Sequence, residues 1–384
     1  MSRKNKWIII CLALVLVSVI FETHRQLHSL KKRHATKYRA YKQFQQFCTT
    51  LAYSSNPRSM LPIELQGLPS AEEDELIVGI KNVDVRGVEA PYNASIIENG
   101  DGYLLFFRYD LPKTKGFTSC IGSLELDRQF NQVGDCQRIH TGSEYSEDPR
   151  VFKWQDQLVL TYNDLMPHEC FCRTMRLAPV DLKTSKTSYM TEFDLHIQPL
   201  EKNWMPFTFI NEKGESEIYF EYSINPHKIL KVSDPKVAEL THLTFPNNPC
   251  LREIKWFWGT SLRGGTPARL VDGEYLAFFH SPMKDKNGIF WYVMGAYTFE
   301  AKPPFRLTGV SRYPILFNGL YDSPIRNTAD PFKRTIFPSG MVIENRGDKQ
   351  LLHVSCGEND SAVKIITFDK DALVKSLRRL DVKN

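Results

Sequence analysis

One short pattern recurs five times between residue 80 and the C-terminus, and it constrains the fold more than any other feature. A strand rich in small residues or proline is followed, about ten residues later, by a tight turn, a hydrophobic strand and a polar exit. The hydrophobic strands are Tyr103–Phe107, Leu158–Tyr162, Ile218–Tyr222, Tyr275–Phe279 and Leu351–Ser355, with first residues 55, 60, 57 and 76 positions apart. The strands before them are Asn93–Ile97, Asp148–Phe152, Trp204–Phe207, Gly265–Arg269 and Phe337–Met341. Turns such as Asn99-Gly100-Asp101-Gly102 and Asp272-Gly273 lie between them. Asn-Gly and Asp-Gly pairs favour hairpins because they accept the positive φ that two-residue turns require. Five hairpin units of about 60 residues match four-stranded blades, so the expected fold is an all-β, five-bladed β-propeller spanning 76–384. A β-sandwich would also hold the strands, but it has no need of five similar hairpins at this spacing.

Composition agrees with that reading. The chain has 384 residues, 42% of them hydrophobic and 24% charged, which excludes disordered and collagen-like classes. Twenty-four Phe, 16 Tyr and 22 Pro suit strands and turns better than helices. The net charge of +5 sits largely near the N-terminus and gives no reason to expect nucleic acid as a partner.

The N-terminal quarter is organised differently. The apolar run Trp7–Phe21 follows Arg3, Lys4 and Lys6 and has no A-x-A-like cleavage site after it. We expect an uncleaved signal-anchor helix over 1–23, making a single-pass, type II membrane protein with a lumenal (Golgi or ER) or periplasmic catalytic domain. The basic residues that follow oppose this topology on a positive-inside count. Residues 24–75 are expected to form a basic helical stalk and a Pro/Ser-rich, acidic linker. Eight cysteines do not decide the compartment; setting aside Cys11 in the apolar run leaves an odd number. His168, Cys170 and Cys172 fit no common zinc spacing, and neither a metal nor an organic cofactor is expected.

In a propeller, equivalent strand ends meet at one funnel. Here they carry Arg108, Asp110, Asn163, Asp164, His227 and His280 from the exits, with Asn93, Ser95, Asp148, Arg150, Lys153, Lys202, Asn203 and Arg263 from the inner strands. Carboxylates, cations, amides and aromatics in one funnel suit carbohydrate with a phosphate beside it. The same residues could also be ordinary turn residues at strand ends.

At these positions residues 85 to 380 resemble glycoside hydrolase family 130, the five-bladed β-mannoside phosphorylases and their hydrolase relatives. The pieces are Tyr92-Asn93-Ala94-Ser95 with Arg108, Ser146-Glu147-Asp148-Pro149-Arg150 with Lys153, Lys202-Asn203-Trp204, Asn225-Pro226-His227, Met294-Gly295-Ala296, and Phe337-Pro338-Ser339-Gly340 before Gly357-Glu358-Asn359-Asp360. The resemblance implies that Asp148 is the general acid, acting directly or through a substrate hydroxyl. It implies that Arg108, Lys153 and His227 hold phosphate with Asn93, Ser95 and Arg150 alongside, Arg150 alternatively orienting Asp148. Asp360 is implied to grip the sugar, with Asn203, Trp204, Asp110, Asn163, Asp164 and His280 as further sugar contacts. The implied partners are an oligosaccharide or glycoconjugate and inorganic phosphate or a sugar phosphate.

An acid working near neutrality needs a raised pKa, from burial or from Glu147, which adjacent cations oppose until phosphate neutralises them. An inverting hydrolase needs a second carboxylate about 6.5–9.5 Å away to activate water, for which Asp110, Asp164, Glu221 and Glu358 are candidates. The expected activity is therefore inverting glycosyl transfer to or from phosphate. The alternatives are hydrolysis on the same fold and a non-catalytic glycan- or protein-binding propeller. The sequons Asn93-Ala94-Ser95 and Asn359-Asp360-Ser361 overlap the site, so their asparagines should carry no glycan.

Overall fold

The computed structural model describes residues 61–113, 116–166, 172–187, 191–193, 198–234, 239–244, 256–325 and 333–380. The expected membrane anchor and helical stalk lie outside the described residues. Among those described, no helix is long and apolar enough to cross a membrane.

The five predicted hairpins all form, each inside an antiparallel meander. The first meander is β2–β5 (Tyr92–Asn99, Gly102–Lys113, Gly116–Leu126, Gln132–Ile139). The second is β6–β10 (Glu147–Trp154, Gln157–Met166, Cys172–Asp181, Lys186–Thr187, Thr191–Glu192), and the third is β11–β14 (Met205–Ile210, Ser216–Ser223, Lys228–Asp234, Glu239–Thr244). The fourth is β15–β19 (Arg263–Gly264, Arg269–Val271, Glu274–Lys284, Phe290–Glu300, Leu307–Val310). The fifth joins β20–β22 (Arg334–Arg346, Lys349–Glu358, Ala362–Asp369) to β1 (Ile77–Val83), the first strand of the chain, which pairs antiparallel with β22. A two-residue parallel contact, Trp291–Tyr292 with Arg334–Thr335, links the fourth and fifth. A short β23 (Arg378–Arg379) caps β19.

The apolar faces are buried between meanders. Phe106, Ile121 and Leu160 pack the first against the second. Trp204, Phe220 and Met175 pack the second against the third. Phe207, Phe279 and Phe299 pack the third against the fourth, and Leu105, Val342 and Ile365 pack the first against the fifth. Polar links cross the same boundaries. The Val151 amide donates to Ser95 Oγ at 3.0 Å, Trp154 Nε1 to the Ser216 carbonyl at 3.1 Å, and the Ala268 amide to the Pro206 carbonyl at 3.2 Å. Arg269 Nε donates to the Met341 carbonyl at 3.2 Å, and Ser355 Oγ to the Ala94 carbonyl at 2.6 Å.

One difference from expectation stands out. The compact unit begins at Ile63, so residues 63–75 are more than linker. A single-turn helix α1 (Ile63–Gln66) buries Leu65, the Ala71 amide donates to the Leu316 carbonyl at 2.8 Å, and Glu72 accepts from the Asn318 amide at 3.0 Å. The acidic run turns on itself, with the Asp74 amide donating to the Ser70 carbonyl and the Glu75 amide to the Glu72 carbonyl, while Ala71 and Glu72 tie it to the crossover that leads into β20. A C-terminal helix α2 (Lys370–Ser376) follows β22, capped by Asp369 accepting from the Ala372 amide. Cys172 is disulfide-bonded, whereas Cys120, Cys136 and Cys356 are free.

The first and fourth meanders repeat one packing device. Phe107 faces Gly122 across its ladder and Phe279 faces Gly295, and in each pair an added Cβ would lie 2.5 Å from the phenyl Cζ. The aromatic ring fills the space that the missing side chain leaves. Overpacking of this kind costs about 1–3 kcal/mol. Gly295→Ala should therefore lower the urea midpoint clearly, while Gly67→Ala, which meets nothing within 4 Å, should not. Equal midpoints in urea denaturation would show that the pair is not a packing constraint.

Candidate functional site

Two bulges shape the site. The register shifts between Tyr92 and Ser95 in β2 and between Glu147 and Arg150 in β6. Asn93 and Asp148 occupy these bulges with φ of 48° and 53°. A bulge re-aims a side chain out of strand alternation, and Asn and Asp tolerate the left-handed region better than most residues. Asn93 Nδ2 donates to Asp148 Oδ1 at 2.8 Å, so neighbouring meanders present one bonded pair. Gly357 backs this pair: a Cβ there would lie 2.2 Å from Asn93 Oδ1 and 2.4 Å from its amide nitrogen.

Arg108 faces Tyr92 in the ladder and joins the carboxylates. Its guanidinium reaches Glu147 Oε1 at 2.9 Å, Asp110 Oδ1 at 3.2 Å and Asp148 Oδ1 at 3.5 Å, and lies over the Tyr92 ring. Asp110 also accepts from the Tyr92 hydroxyl at 2.7 Å and from Ser119 at 3.0 Å, which makes it a positioner of Arg108. Arg173 pairs with Glu147 and donates to Asn163 Oδ1 at 2.8 Å, while Asn163 Nδ2 donates to the Glu147 carbonyl.

Arg150 is fully buried. It donates to the carbonyls of Gly265 (2.6 Å), Gly264 (3.3 Å) and Asp148 (3.3 Å), and to Asn203 Oδ1 (3.2 Å). Burial pulls its pKa down to about 10 against the attraction of Asp148. Burial alone would raise the Asp148 carboxyl, but Arg108, the Asn93 hydrogen bond, Arg150 and Lys202 together hold it below the usual range. Burial raises Glu147, with Arg108 opposing and Asp148 adding to the rise. The expected elevation is thus found on the neighbour of Asp148.

A second cluster comes from the fourth and fifth meanders. Arg263, opposite His280 in the ladder, and Lys333 both lie over the Tyr292 ring, at 5.7 and 4.9 Å. Lys333 Nζ pairs with Asp360 Oδ2 at 3.3 Å. His280 stacks on Tyr292 and meets the Phe337 ring at a tilt; burial first, then Arg263 and Arg150, favours its neutral imidazole. The Phe337 ring links the two clusters, 5.6 Å from the Arg150 guanidinium carbon and 4.3 Å from the His280 ring. His280 Nδ1 and Asn93 Oδ1 are buried and have no hydrogen-bond partner among the described residues.

The remaining sequence candidates divide between those that support this site and those that lie away from it. Lys153 is exposed at the outer end of β6; five residues of strand put it roughly 16 Å from Asp148. Lys202, before β11, is the lysine whose charge acts on both Asp148 and Glu147. His227 is buried between the third and fourth meanders, its Nε2 2.6 Å from Glu221 Oε1 and its ring beside Phe299. Ser95 is consumed by the Val151 clasp, and Arg150 by carbonyls, so neither is presented to an anion. Trp204 is a core residue donating to Glu201 at 3.2 Å. Asn163 supports Glu147 and Arg173, Asp164 is held by Ser143 at 2.6 Å with burial raising its carboxyl, and Asn203 receives Arg150. Of the candidate bases, Glu221 is committed to His227 and Tyr297, and Glu358 to Lys364, Ser323 and the Tyr321 amide.

Lys333 and Tyr292 were not foreseen. Lys333 precedes β20 outside any repeated motif, and Tyr292 lies on β18, where the hairpin pattern gave no signal. Both sequon asparagines are internal. The Asn359 side-chain amide donates to the carbonyls of Tyr321 (3.1 Å) and Ser323 (2.8 Å), and the Asn93 side-chain amide to the Asp148 carboxylate.

No family model and no curated protein matches the chain. Solved structures do. The mannose phosphorylase MPT-4 from Leishmania mexicana, in complex with phosphate ion, superposes with a TM-score of 0.52 at 14% identity over 82% of this chain and 95% of its own. The β-1,2-mannobiose phosphorylase from Listeria innocua, bound to β-1,2-mannobiose, gives 0.52 at 12% identity over 79% and 97%. A structure representing glycoside hydrolases of the GH130 family of mannoside phosphorylases, which target β-1,2 mannosidic linkages in Candida mannan, gives 0.50 at 16% identity over 76% and 87%. The chain therefore has the fold of mannoside phosphorylases and related glycoside hydrolases, in keeping with its sequence resemblance to that group.

If Lys202 supplies charge at the site and Lys153 does not, Lys202→Ala should raise the KM for an anionic substrate at least about tenfold, the cost of one charge-assisted contact. Lys153→Ala should stay within twofold. Steady-state kinetics on both variants decide it, and the reverse order of effects would restore Lys153.

Proposed function

We propose that the five meanders close into a five-bladed propeller and that the chain is a carbohydrate-active enzyme transferring a β-mannosyl-type residue to or from phosphate with inversion. One observation carries this reading: Asp148 and Glu147 are buried among Arg108, Arg150 and Lys202, beside the Arg263–Lys333 pair on Tyr292. So much positive charge around one carboxylate pair suits a site that must also admit an anion. The phosphate-bound and mannobiose-bound structures of the same fold support the two substrate classes.

In this reading a phosphate oxygen attacks the anomeric carbon as the glycosidic carbon–oxygen bond breaks. Asp148 gives its proton, directly or through a substrate hydroxyl, to the departing oxygen, and a sugar 1-phosphate leaves. Arg108, Lys202, Arg263 and Lys333 hold the anion, Asp360 and Asn93 meet sugar hydroxyls, and neutral His280 accepts or donates one hydrogen bond. Arg150 positions Asp148 through its carbonyl. Phosphorolysis or its reverse is favoured over hydrolysis because all four candidate bases are engaged within the protein: Asp110 by Arg108 and Tyr92, Asp164 by Ser143, Glu221 by His227 and Tyr297, and Glu358 by Lys364 and the Tyr321 amide. Residues 1–23 would anchor the enzyme, with the catalytic unit in a lumenal or periplasmic space; the disulfide at Cys172 supports an oxidising compartment.

The full chain incubated with β-1,2-mannobiose and phosphate should release mannose 1-phosphate, and Asp148→Asn should lower turnover about 10²–10⁴-fold while the protein stays folded. Release of free sugar at a rate indifferent to phosphate would establish the hydrolase instead. The depressed Asp148 carboxyl also has a consequence for proton balance. It is ionised in the free protein near neutrality, and an anion beside it offsets the cations that hold it down. Phosphate binding should therefore take up protons, and the uptake should shrink in Asp148→Asn. Calorimetry in two buffers of different ionisation enthalpy measures this directly; identical heats would remove the coupling.

A further inference from the structure

A cavity of about 750 Å³, lined by none of the residues of these clusters, opens where residues 69–76, the crossover 311–315 and helix α2 come together. Its floor is apolar and buried, built from Leu76, Ile315 and Leu373. Its rim is exposed and carries both signs, with Asp74, Glu75 and Asp371 against Arg312 and Lys375. One aromatic ring stands at the edge: Tyr313 is 44% exposed. Its neighbour Trp258 lies 6.2 Å away between ring centroids and is fixed by Nε1 donating to the Arg312 carbonyl at 3.3 Å. Phe257, beside it, is 81% exposed.

We propose that this cavity is a second, non-catalytic glycan site. Alternating charge on the rim offers carboxylate acceptors and cationic donors at close quarters, which suits a neutral ligand covered in hydroxyls. An acidic or a basic peptide would meet repulsion from half of the rim. An apolar floor and an exposed ring match the carbon–hydrogen face of a pyranose, which gains from burial against aromatic surface. Three chain segments form the wall, and their backbones are pinned by the Ala71–Leu316 bond and the Asp369 cap, so the site is preformed. The inference rests on the reading of the chain as a glycan-acting enzyme. A surface site would then hold one part of a long chain while another part enters the funnel, raising the local substrate concentration.

Hydrogen exchange of the full chain with β-1,2-mannohexaose as the probe tests this. Saturable protection is expected in peptides covering 69–76, 311–316 and 371–376, separate from protection around 92–95 and 147–150. Tyr313→Ala should abolish the first set and leave mannobiose turnover within twofold, while Tyr313→Phe, which keeps the ring, should retain it. Activity on the hexaose should fall several-fold in Tyr313→Ala. Protection confined to the active-centre peptides, or a peripheral set that persists unchanged in Tyr313→Ala, would overturn the second site and leave the enzymatic reading standing. Peripheral protection lost in Tyr313→Ala, without turnover of any mannoside, would uphold the site and overturn the enzymatic reading.

Discussion

A guanidinium with no exposure to water must find every partner inside the protein, and Arg150 does so by joining three meanders. It bonds the carbonyl of Asp148 beside it, the amide oxygen of Asn203 from the third meander, and the carbonyls of Gly264 and Gly265 from the fourth. Removing a buried charge from water is costly unless its hydrogen bonds are met. These carbonyls are free to accept only because the strands are bulged or interrupted at that level. The irregularities that weaken the ladders are thus what let the cation be buried, and the cation in turn fixes Asp148.

The same economy governs the other charges. Arg108 is shared by Asp110, Glu147 and Asp148, and Glu147 is shared by Arg108 and Arg173. None of these groups rests on a single partner, so the Asp148 side chain is held from several directions at once. Preorganisation of this kind lets dipoles and charges stabilise a reacting centre without rearranging first. Asn93 and Asp148 adopt left-handed backbone that most residues avoid, and the surrounding bonds repay that strain.

Much of the fold was legible in the sequence because hairpins are local. Turn residues and alternation placed all five predicted pairs. The site was legible where a residue occupies a bulge or its ladder partner, as with Asn93, Asp148 and Arg108. It was not legible where burial decides the role. Histidine, tryptophan and arginine serve equally well as ligand contacts and as satisfied core residues. Only the third dimension showed that His227 answers Glu221, Trp204 answers Glu201 and Arg150 answers backbone carbonyls. Lys153 and Lys202 differ in sequence only by the strand they flank; one ends an inner strand at its far side, and the other sits where the next begins.

The pairing of β1 with β22 has a consequence for synthesis. Ile77–Val83 leaves the ribosome among the first parts of the compact unit, yet its partner Ala362–Asp369 is among the last. The last meander, which also carries Asp360 on its final turn, therefore cannot close co-translationally by simple addition. An unpaired strand edge must wait through the making of four complete meanders, and such edges invite pairing with the wrong chain. Val78 and Ile80, on the outward face of β1, keep part of that hazard in the finished protein.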